Sequence, residues 1–568
     1  MTDFITNHYD LDETRGKTLL VLDAFKSMAR AIDNDVIPGS REDVIVSGIE
    51  NPASTLSSTG NQYTTIPLRP VSKDVNFLYH NVVHGRFEFQ FRVDSYSDAG
   101  TTHANLAQPL HSAFSMVNTA AFFNRLQLRL GNSIIWQNQF QRQEAICGMA
   151  SLPQEIIETS PEFLTCSKVL NESPIPGIYW QLTTNPTSTG VHTRTAIIDF
   201  TIDLNHLTPI ISNIPFTTAE LGDLNLRVFT ENLHECFAFV PIPTVGQASS
   251  PILSNPSFHV ISPQPLNKLI KLYQPETLAY TAGATATVGA GVATTAIYLK
   301  ASLTSWRAVD FGIEIVQSCF SVKRASVDRL KSYIGDDNRI IIPTQTWSTA
   351  VSTNPLTSAT GELIFQLSAQ NIYLLAFLFP YNTDWSCYYP TPPLTGIDIQ
   401  LNSKSINYLP YKAIDSRVIK DTIQAFMNDD RYGANENLLN SLQMPVDGAG
   451  YNATAYLNKF SNANHRYDSL NPNCFVIAKG LSPPSSFEKG YCYASSNPQS
   501  TQVRFKYALQ SGLETGADNT LNANMSLTST NSPAYCMALQ DCCLVLNYNP
   551  TSQHADNGAI VYAEPTLV

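Results

Sequence analysis

The sequence has few charged residues. Asp, Glu, Lys and Arg make up 14% of its 568 positions, against roughly 25% in an average soluble domain. Ser, Thr, Asn and Gln take their place. A free enzyme usually keeps a charged surface for solubility, whereas a surface that is buried against neighbouring molecules loses charge at its centre. The shortage of charge therefore favours a protein that assembles with others.

Clusters of basic residues are also missing. The net charge is −12, and the first fifty residues carry ten acidic side chains against five basic ones, which are Arg15, Lys17, Lys26, Arg30 and Arg41. Proteins that hold nucleic acid need clustered Lys and Arg to displace its counterions. The sequence therefore predicts no sequence-specific nucleic-acid binding, and it excludes a basic genome-binding arm at the N-terminus.

Long apolar runs and cysteine motifs are missing too. No run reaches membrane-spanning length, and no cationic stretch followed by an apolar one stands near Met1. We therefore expect no transmembrane segment, secretion signal or transit peptide. The ten cysteines form no C-x-x-C pair, which favours buried thiols over disulfides. Without a signal, the sequons at Asn171, Asn452 and Asn524 are expected to stay unmodified.

Catalytic motifs are weak or lacking. His80 and His84 have H-x-x-x-H spacing, but the segment lacks the glutamate of a zinc protease and is strand-like. Residues 335–337 read Gly-Asp-Asp without a companion acidic motif, which favours a turn over a magnesium site. Cys542 and Cys543 lie in an apolar run that is typical of inert core thiols. The sequence nominates no catalytic, cofactor-binding or metal-binding residue, and we expect no enzyme and no cofactor.

What the sequence has is β-strand patterning. Apolar and polar residues alternate in 87–93, 126–136 and 198–204, as in half-buried strands. A chain of this length exceeds what one core organises. We predict an N-terminal arm over 1–70, which includes an amphipathic helix near Arg15–Ile32. Two domains follow, over 71–325 and 326–568. A helix packed on its own domain is the alternative to the arm.

The second half repeats the order of elements in the first. The hairpin at 397–408 and the helix after it match the hairpin at 126–136 and its helix. The strand at 503–509 is matched with the one at 198–204, and the strand at 544–546 with the one near Leu226. Many short strands, frequent Pro and Gly, and few helices are typical of antiparallel sandwiches. The pattern therefore predicts two similar sandwiches in tandem.

Three segments carry a resemblance to a known family. They are the hairpin LQLRLGNSIIW, the stretch IIDFTIDLNHLTPIISNIPF and the strand NLRVF. Together they resemble double jelly-roll major capsid proteins, of the type found in virophages and Polinton-like viruses. The resemblance implies an all-β chain of two tandem eight-stranded antiparallel jelly rolls with long loops and a few short helices.

The resemblance also implies a function. A homotrimer would form a pseudo-hexagonal capsomer of an icosahedral capsid, with penton and minor capsid proteins as partners, around a double-stranded DNA genome. The protein would lie in the virion shell and be assembled inside the host cell. One alternative is a single jelly-roll capsid protein of a small RNA or single-stranded DNA virus with a projecting domain. The other is a carbohydrate-binding β-sandwich protein, for which Trp385, Tyr388 and Tyr389 form the best aromatic patch.

Overall fold

The fold was established from a computed structural model of the chain. The model describes residues 34–51, 53–68, 76–97, 100–104, 110–116, 119–150, 178–184, 189–204, 207–212, 214, 216–217, 222–243, 264–274, 295–323, 325, 338–356, 360–369, 372–380, 394–407, 410–411, 416–427, 446–447, 450–451, 476–481, 501–509, 533–549, 551 and 554–562.

Strands dominate the described part of the first half. They are β1 (Glu42–Ser47), β2 (Tyr63–Pro67), β3 (Asn76–Tyr96), β4 (Leu110–Met116), β5 (Arg125–Leu130), β6 (Ser133–Asn138), β7 (Ile178–Thr184), β8 (Val191–Asp203), β9 (Phe216–Thr217), β10 (Leu224–Phe229), β11 (Ala238–Pro243), β12 (Gln264–Pro265), β13 (Leu269–Gln274) and β14 (Thr295–Ser321). Two helices, α1 (Gln141–Ala150) and α2 (Pro209–Ser212), and short 3₁₀ turns at Ala53–Thr55, Thr119–Phe122 and Leu233–Cys236 lie between them.

The described part of the second half has the same character. Its strands are β15 (Arg339–Pro355), β16 (Thr360–Leu367), β17 (Ile372–Leu378), β18 (Leu394–Leu401), β19 (Lys404–Ser405), β20 (Val446–Asp447), β21 (Gly450–Tyr451), β22 (Val476–Gly480), β23 (Thr501–Leu509), β24 (Pro533–Asn549) and β25 (His554–Tyr562). The helix α3 (Ser416–Met427) lies between β19 and β20.

The first half folds as a jelly roll. We letter its strands β1, β2, β3, β5, β6, β8, β10 and β14 from B to I in chain order. One antiparallel sheet then has the order β1-β14-β3-β8, or B-I-D-G, and the facing sheet has the order β2-β10-β5-β6, or C-H-E-F. These two orders are those of an eight-stranded jelly roll.

The second half has the same strand order. Lettering β15, β16, β17, β18, β19, β22, β23 and β24 from B to I gives one sheet of order β15-β24-β17-β22 and another of order β16-β23-β18-β19, again B-I-D-G and C-H-E-F. β25 adds to the first of these sheets by pairing with β24. The prediction of two tandem jelly rolls is therefore confirmed.

The repeat was predicted correctly at the hairpins and wrongly at two later strands. β5 and β18 are both strand E, and α1 and α3 both follow strand F. Val503–Leu509 lies in β23, strand H, so its counterpart is β10 and not the strand at 198–204. Leu544–Leu546 lies in β24, strand I, so its counterpart is β14 and not β10. Alternating strands look alike in sequence, and only their pairing partners distinguish them.

The predicted arm over 1–70 is too long. Glu42–Ser47 pairs with β14 from Glu42↔Cys319 to Ser47↔Glu314, and Tyr63–Pro67 pairs with β10. Both are strands of the first jelly roll, because their backbone groups complete its two sheets. The predicted helix near Arg15–Ile32 lies outside the described residues. The first jelly roll ends with β14 and the second begins with β15, while the predicted boundary between residues 325 and 326 remains a prediction.

A third sheet joins connections of the first jelly roll. Its order is β12-β11-β4-β7. β4 lies between strands D and E, β7 between F and G, and β11 and β12 between H and I. The long connections between the jelly-roll strands, which the sequence predicts as loops, therefore pair with one another in part as β-strands. Phe114 of β4 stacks on Phe91 of β3 at 3.9 Å between ring centroids, which joins this sheet to the core.

Phenylalanines fill both cores. Phe87, Phe89 and Phe91 of β3 are buried, while Glu88 and Gln90 between them face outward, because side chains alternate along a strand. In the second jelly roll, Phe377 of one sheet lies 5.0 Å from Phe505 and 5.9 Å from Phe365 of the facing sheet, measured between ring centroids. Each sandwich therefore has its own apolar interior.

Candidate functional site

The two jelly rolls meet along a buried contact, which we call the seam. On one side are β6, α1 and the start of α2, and on the other are β15 and β24. Trp136 Nε1 donates a hydrogen bond of 3.0 Å to Thr346 Oγ1, and Thr344 Oγ1 lies 3.3 Å from the carbonyl oxygen of Pro209. The contact combines buried side chains with specific hydrogen bonds, so it fixes one jelly roll against the other.

The helix α1 and the residue before it supply further contacts of the seam. Cys147 Sγ lies 3.7 Å from Met537 Sδ. The ring of Phe140, just before the helix, lies 5.8 Å from that of Tyr535, measured between centroids. Residues 140, 144 and 147 share one face of the helix, because they are spaced at four and three residues. This face of α1 is therefore the one that meets β24.

Buried polar groups fix the start of α1. Asn138 Oδ1 accepts a hydrogen bond of 2.5 Å from the Phe140 backbone N–H, and Gln141 Nε2 donates one of 2.5 Å to the Leu207 carbonyl. Arg142 is 3% exposed, and its Nη1 lies 2.9 Å from Glu235 Oε2. The helix is thereby tied to the rest of the first jelly roll before it contacts the second.

Glu144 is the unusual group in the seam. It is 4% exposed, and its Oε2 has no hydrogen-bond partner among the described residues. Burial raises the pKa of this carboxyl well above its ordinary value of 4.5, and the Thr208 and Asn138 side chains oppose the rise. The sequence analysis missed Glu144. Its only signal is an acidic residue directly before the apolar run Ala145–Cys147.

The Trp136–Thr346 hydrogen bond gives a test of the seam. We expect Trp136→Phe and Thr346→Val each to lower the free energy of unfolding by about 1–3 kcal/mol, because each leaves a buried polar atom without its partner. The two losses should not add, and the coupling in a double-mutant cycle should be about 1 kcal/mol in urea denaturation. Thr349→Val is the control on the same strand. Additivity of the Trp136 and Thr346 substitutions would contradict the contact.

The outward face of the first B-I-D-G sheet is a second candidate surface. Arg86 Nη1 lies 2.8 Å from Asp310 Oδ2, and Arg307 Nε lies 2.7 Å from Glu88 Oε1. The hydrogen bond from Arg307 lowers the pKa of Glu88. Beside these ion pairs, Ile45 is 61% exposed and Ile197 is 53% exposed. Apolar residues mark protein contacts where they form a continuous patch on the surface.

A row of apolar residues crosses this face at the free edge of the sheet. Ile45 of β1 pairs with Val316 of β14, and Val316 pairs with Val82 of β3. Directly paired residues of neighbouring antiparallel strands project from the same face. Val316 and Val82 are half-buried, so Ile45 is the most exposed member of the row.

The two histidines of the H-x-x-x-H segment lie on β3, where four residues of extended chain span about 13 Å. This spacing differs from the one-turn helical spacing of the two histidines in a zinc protease motif. His84 Nδ1 lies 3.6 Å from Glu314 Oε1, and its ring packs at a tilt against that of Phe311, with 4.4 Å between centroids. These contacts indicate a structural role for His84 in the sheet.

The other motifs fall in two groups. The Gly-Asp-Asp segment at 335–337, the three sequons and the aromatic patch at 385–389 lie outside the described residues. The cysteines within the described ranges are all buried, and they are Cys147, Cys236, Cys319, Cys536, Cys542 and Cys543. Burial raises the pKa of the Cys147, Cys319 and Cys536 thiols, which keeps them protonated and unreactive at neutral pH.

Two further features concern metal ions and membranes. Among them, no group of three or more His, Cys, Asp and Glu side chains is arranged to hold a metal ion. No helix in the same ranges combines the length and the apolar character that crossing a membrane requires. The sequence-based prediction that the chain has no metal, cofactor or catalytic residue remains a prediction.

Comparisons with known proteins give likenesses of structure. No family model matches the chain, and no curated protein matches it. A 3.5 Å cryo-EM structure of the Sputnik virophage is 10% identical, with a TM-score of 0.45, and the match covers 92% of this chain and 89% of that chain. The mavirus major capsid protein is 9% identical, with a TM-score of 0.43, covering 94% and 92%.

A third structure is PBCV-1 VP54, fitted into a cryo-EM reconstruction of the virophage Sputnik. It is 10% identical, with a TM-score of 0.41, and the match covers 92% of this chain and 97% of that chain. At such identities the fold is assigned from the strand orders of this chain's own sheets, which are those of two jelly rolls in tandem.

Proposed function

We propose that the protein is a structural major capsid protein whose homotrimer forms a pseudo-hexagonal capsomer. The observation that carries the proposal is the repetition of one strand order, B-I-D-G and C-H-E-F, in both halves of the chain. Two similar sandwiches held together by a buried seam form one rigid building block. Three such blocks around an axis present six similar sandwiches, the symmetry that a hexagonal lattice position requires.

The surface chemistry supports the same function. Only 14% of the residues are charged, and the net charge is −12. A weakly charged surface suits repeated contacts between copies, and an acidic chain suits a shell that encloses DNA without neutralising it. Penton and minor capsid proteins are the other proposed partners. The virion shell is the proposed location, after assembly inside the host cell, and a shell subunit needs no catalytic activity.

The oligomeric state of the purified protein tests the proposal. Size exclusion with light scattering should give three times the chain mass of 62.6 kDa. Electron microscopy of the same fraction should show particles with six-fold outlines that contain three copies. A stable monomer across the micromolar range, with no ring or shell in the micrographs, would overturn the function.

Ile45→Asp tests which face takes part. We expect it to weaken trimer formation at least tenfold, because burying an unpaired charge in a contact costs several kcal/mol, and about 1.4 kcal/mol corresponds to tenfold in affinity. Folding should be unaffected, since the side chain is 61% exposed. Asn132→Asp, in the exposed turn between β5 and β6, adds the same charge as a control. An Ile45→Asp protein that trimerises normally would remove this face from the contact.

A further inference from the structure

Glu144 occupies a position in the seam that the proposed function does not explain. It projects from the face of α1 that also carries Phe140 and Cys147, and these two neighbours contact Tyr535 and Met537 of β24. Its carboxyl is therefore enclosed where the first jelly roll meets the second. Only 4% of the residue is exposed.

No cation compensates this carboxyl within the described part of the chain. The groups that act on it are the uncharged side chains of Thr208 and Asn138. The nearest basic residue along α1, Arg142, directs its guanidinium to Glu235 and to the carbonyls of residues 121, 231 and 232. The titratable neighbour on its own helix is Cys147, whose thiol is also buried.

Across the seam, the described strand β24 contains no basic residue, and the basic residue of β15 is Arg339 at its start. Residues of these two strands that contact the first jelly roll include Tyr535, Met537, Thr344 and Thr346. An ionised carboxylate would be buried without a counter-charge, which is costly. A neutral carboxylic acid fits the same place, because it can donate a hydrogen bond to an oxygen of a neighbouring polar side chain.

We propose that Glu144 is a protonation switch for the contact between the two jelly rolls. With a neutral carboxyl, α1 packs against β24 and the seam is closed. When the proton leaves to solvent, the buried charge loosens this contact. The switch does not depend on trimer formation, because the seam lies within one chain.

The direction of the pH dependence follows from burial. Burial raises the pKa of Glu144 well above 4.5 in the folded chain, whereas the unfolded chain keeps the ordinary value. Between these two values the folded chain binds a proton that the unfolded chain has lost. The contribution of Glu144 to stability is therefore greatest below about pH 4.5 and falls as the pH rises through that window.

Glu144→Gln tests this dependence, because the amide is neutral at every pH and has nearly the same shape. Unfolding by urea would be measured for both proteins between pH 5 and pH 9. The quantity to compare is the ratio of the parent's unfolding constant to that of Glu144→Gln. Above pH 5 this ratio should rise about tenfold per pH unit, until Glu144 ionises in the folded chain. Asp223→Asn neutralises an exposed acid of the same jelly roll and should leave the ratio constant. A pH-independent ratio for Glu144→Gln would overturn the proposal.

Labelling of cysteines locates the opening. Cys147 lies in the seam, and Cys236 lies inside the first jelly roll, where its Sγ is 3.0 Å from the Ala121 carbonyl; both are fully buried. At pH 9, an uncharged maleimide followed by mass spectrometry should modify Cys147 at least tenfold faster in the parent than in Glu144→Gln. Modification of Cys236 should be equal in the two. If Cys147 and Cys236 were modified at equal rates in each protein, the labelling would report global unfolding. That result would overturn a switch at the seam.

Discussion

Gly85→Ala is expected to lower the free energy of unfolding by about 3 kcal/mol, the upper end of the usual range for overpacking a core. A Cβ at position 85 would lie 2.1 Å from Phe200 Cζ and within 2.7 Å of two further ring atoms. The ring cannot move aside freely, because it stacks on Phe87 and Phe122 at 5.9 Å and 4.7 Å between centroids. Inserting one methyl group therefore displaces an aromatic ring from the centre of the first core.

The matched control for this substitution is Gly396→Ala. Its added Cβ would lie 3.5 Å from the Ala508 Cβ, an ordinary contact. A glycine replaced by alanine without strain is neutral or stabilises by about 0.4–1 kcal/mol through the unfolded state. In urea denaturation, Gly85→Ala should also lose less in the background of Phe200→Ala than alone, because that background removes the clashing ring. Equal losses in both backgrounds would contradict the clash.

The sequence was sufficient where one face of a strand is buried. Phe87, Phe89 and Phe91 alternate with polar residues, and the structure places them in the core of β3. The hairpins at 126–136 and 397–408 were recognised because an apolar alternation is interrupted by a turn, and each is followed by a helix. Local periodicity is visible in one sequence, so the strands and their two-fold repetition could be predicted.

Pairing across long distances could not be predicted. β1 has the sequence EDVIVS, with acidic residues at its start and Ile45 facing outward, so it does not look like a core strand; its partner β14 follows more than 200 residues later. Strands G, H and I differ in the strands they pair with and not in their alternation of apolar and polar residues. This explains why the strands at 503–509 and 544–546 were matched with the wrong strands of the first half. Glu144 was missed for a similar reason, since the side chains that act on its carboxyl include Thr208, which is 64 residues away in the chain.

Arg142→Met is expected to cost about 3–5 kcal/mol, because it removes one partner of a buried charged network. Nε donates to the Ala121 carbonyl at 3.0 Å, and Nη2 donates to the Glu231 and Asn232 carbonyls at 2.8 Å and 3.2 Å. Nη1 lies 2.9 Å from Glu235 Oε2. Methionine fills the space of the aliphatic part of the arginine side chain and leaves these acceptors without a donor. The turn after β10 therefore loses its hydrogen bonds to α1.

Two further variants separate the charge of Arg142 from its shape. Arg142→Lys keeps the charge but has no planar fork, so it cannot reach all four acceptors at once and should recover less than half of the loss. Arg125→Met removes an arginine that is 31% exposed and 3.5 Å from Glu231, and exposed pairs contribute about 0–1 kcal/mol. Urea denaturation compares all three. If Arg142→Lys were as stable as the parent, a point charge would suffice, and the fixed geometry of α1 that positions Glu144 in the seam would need another cause.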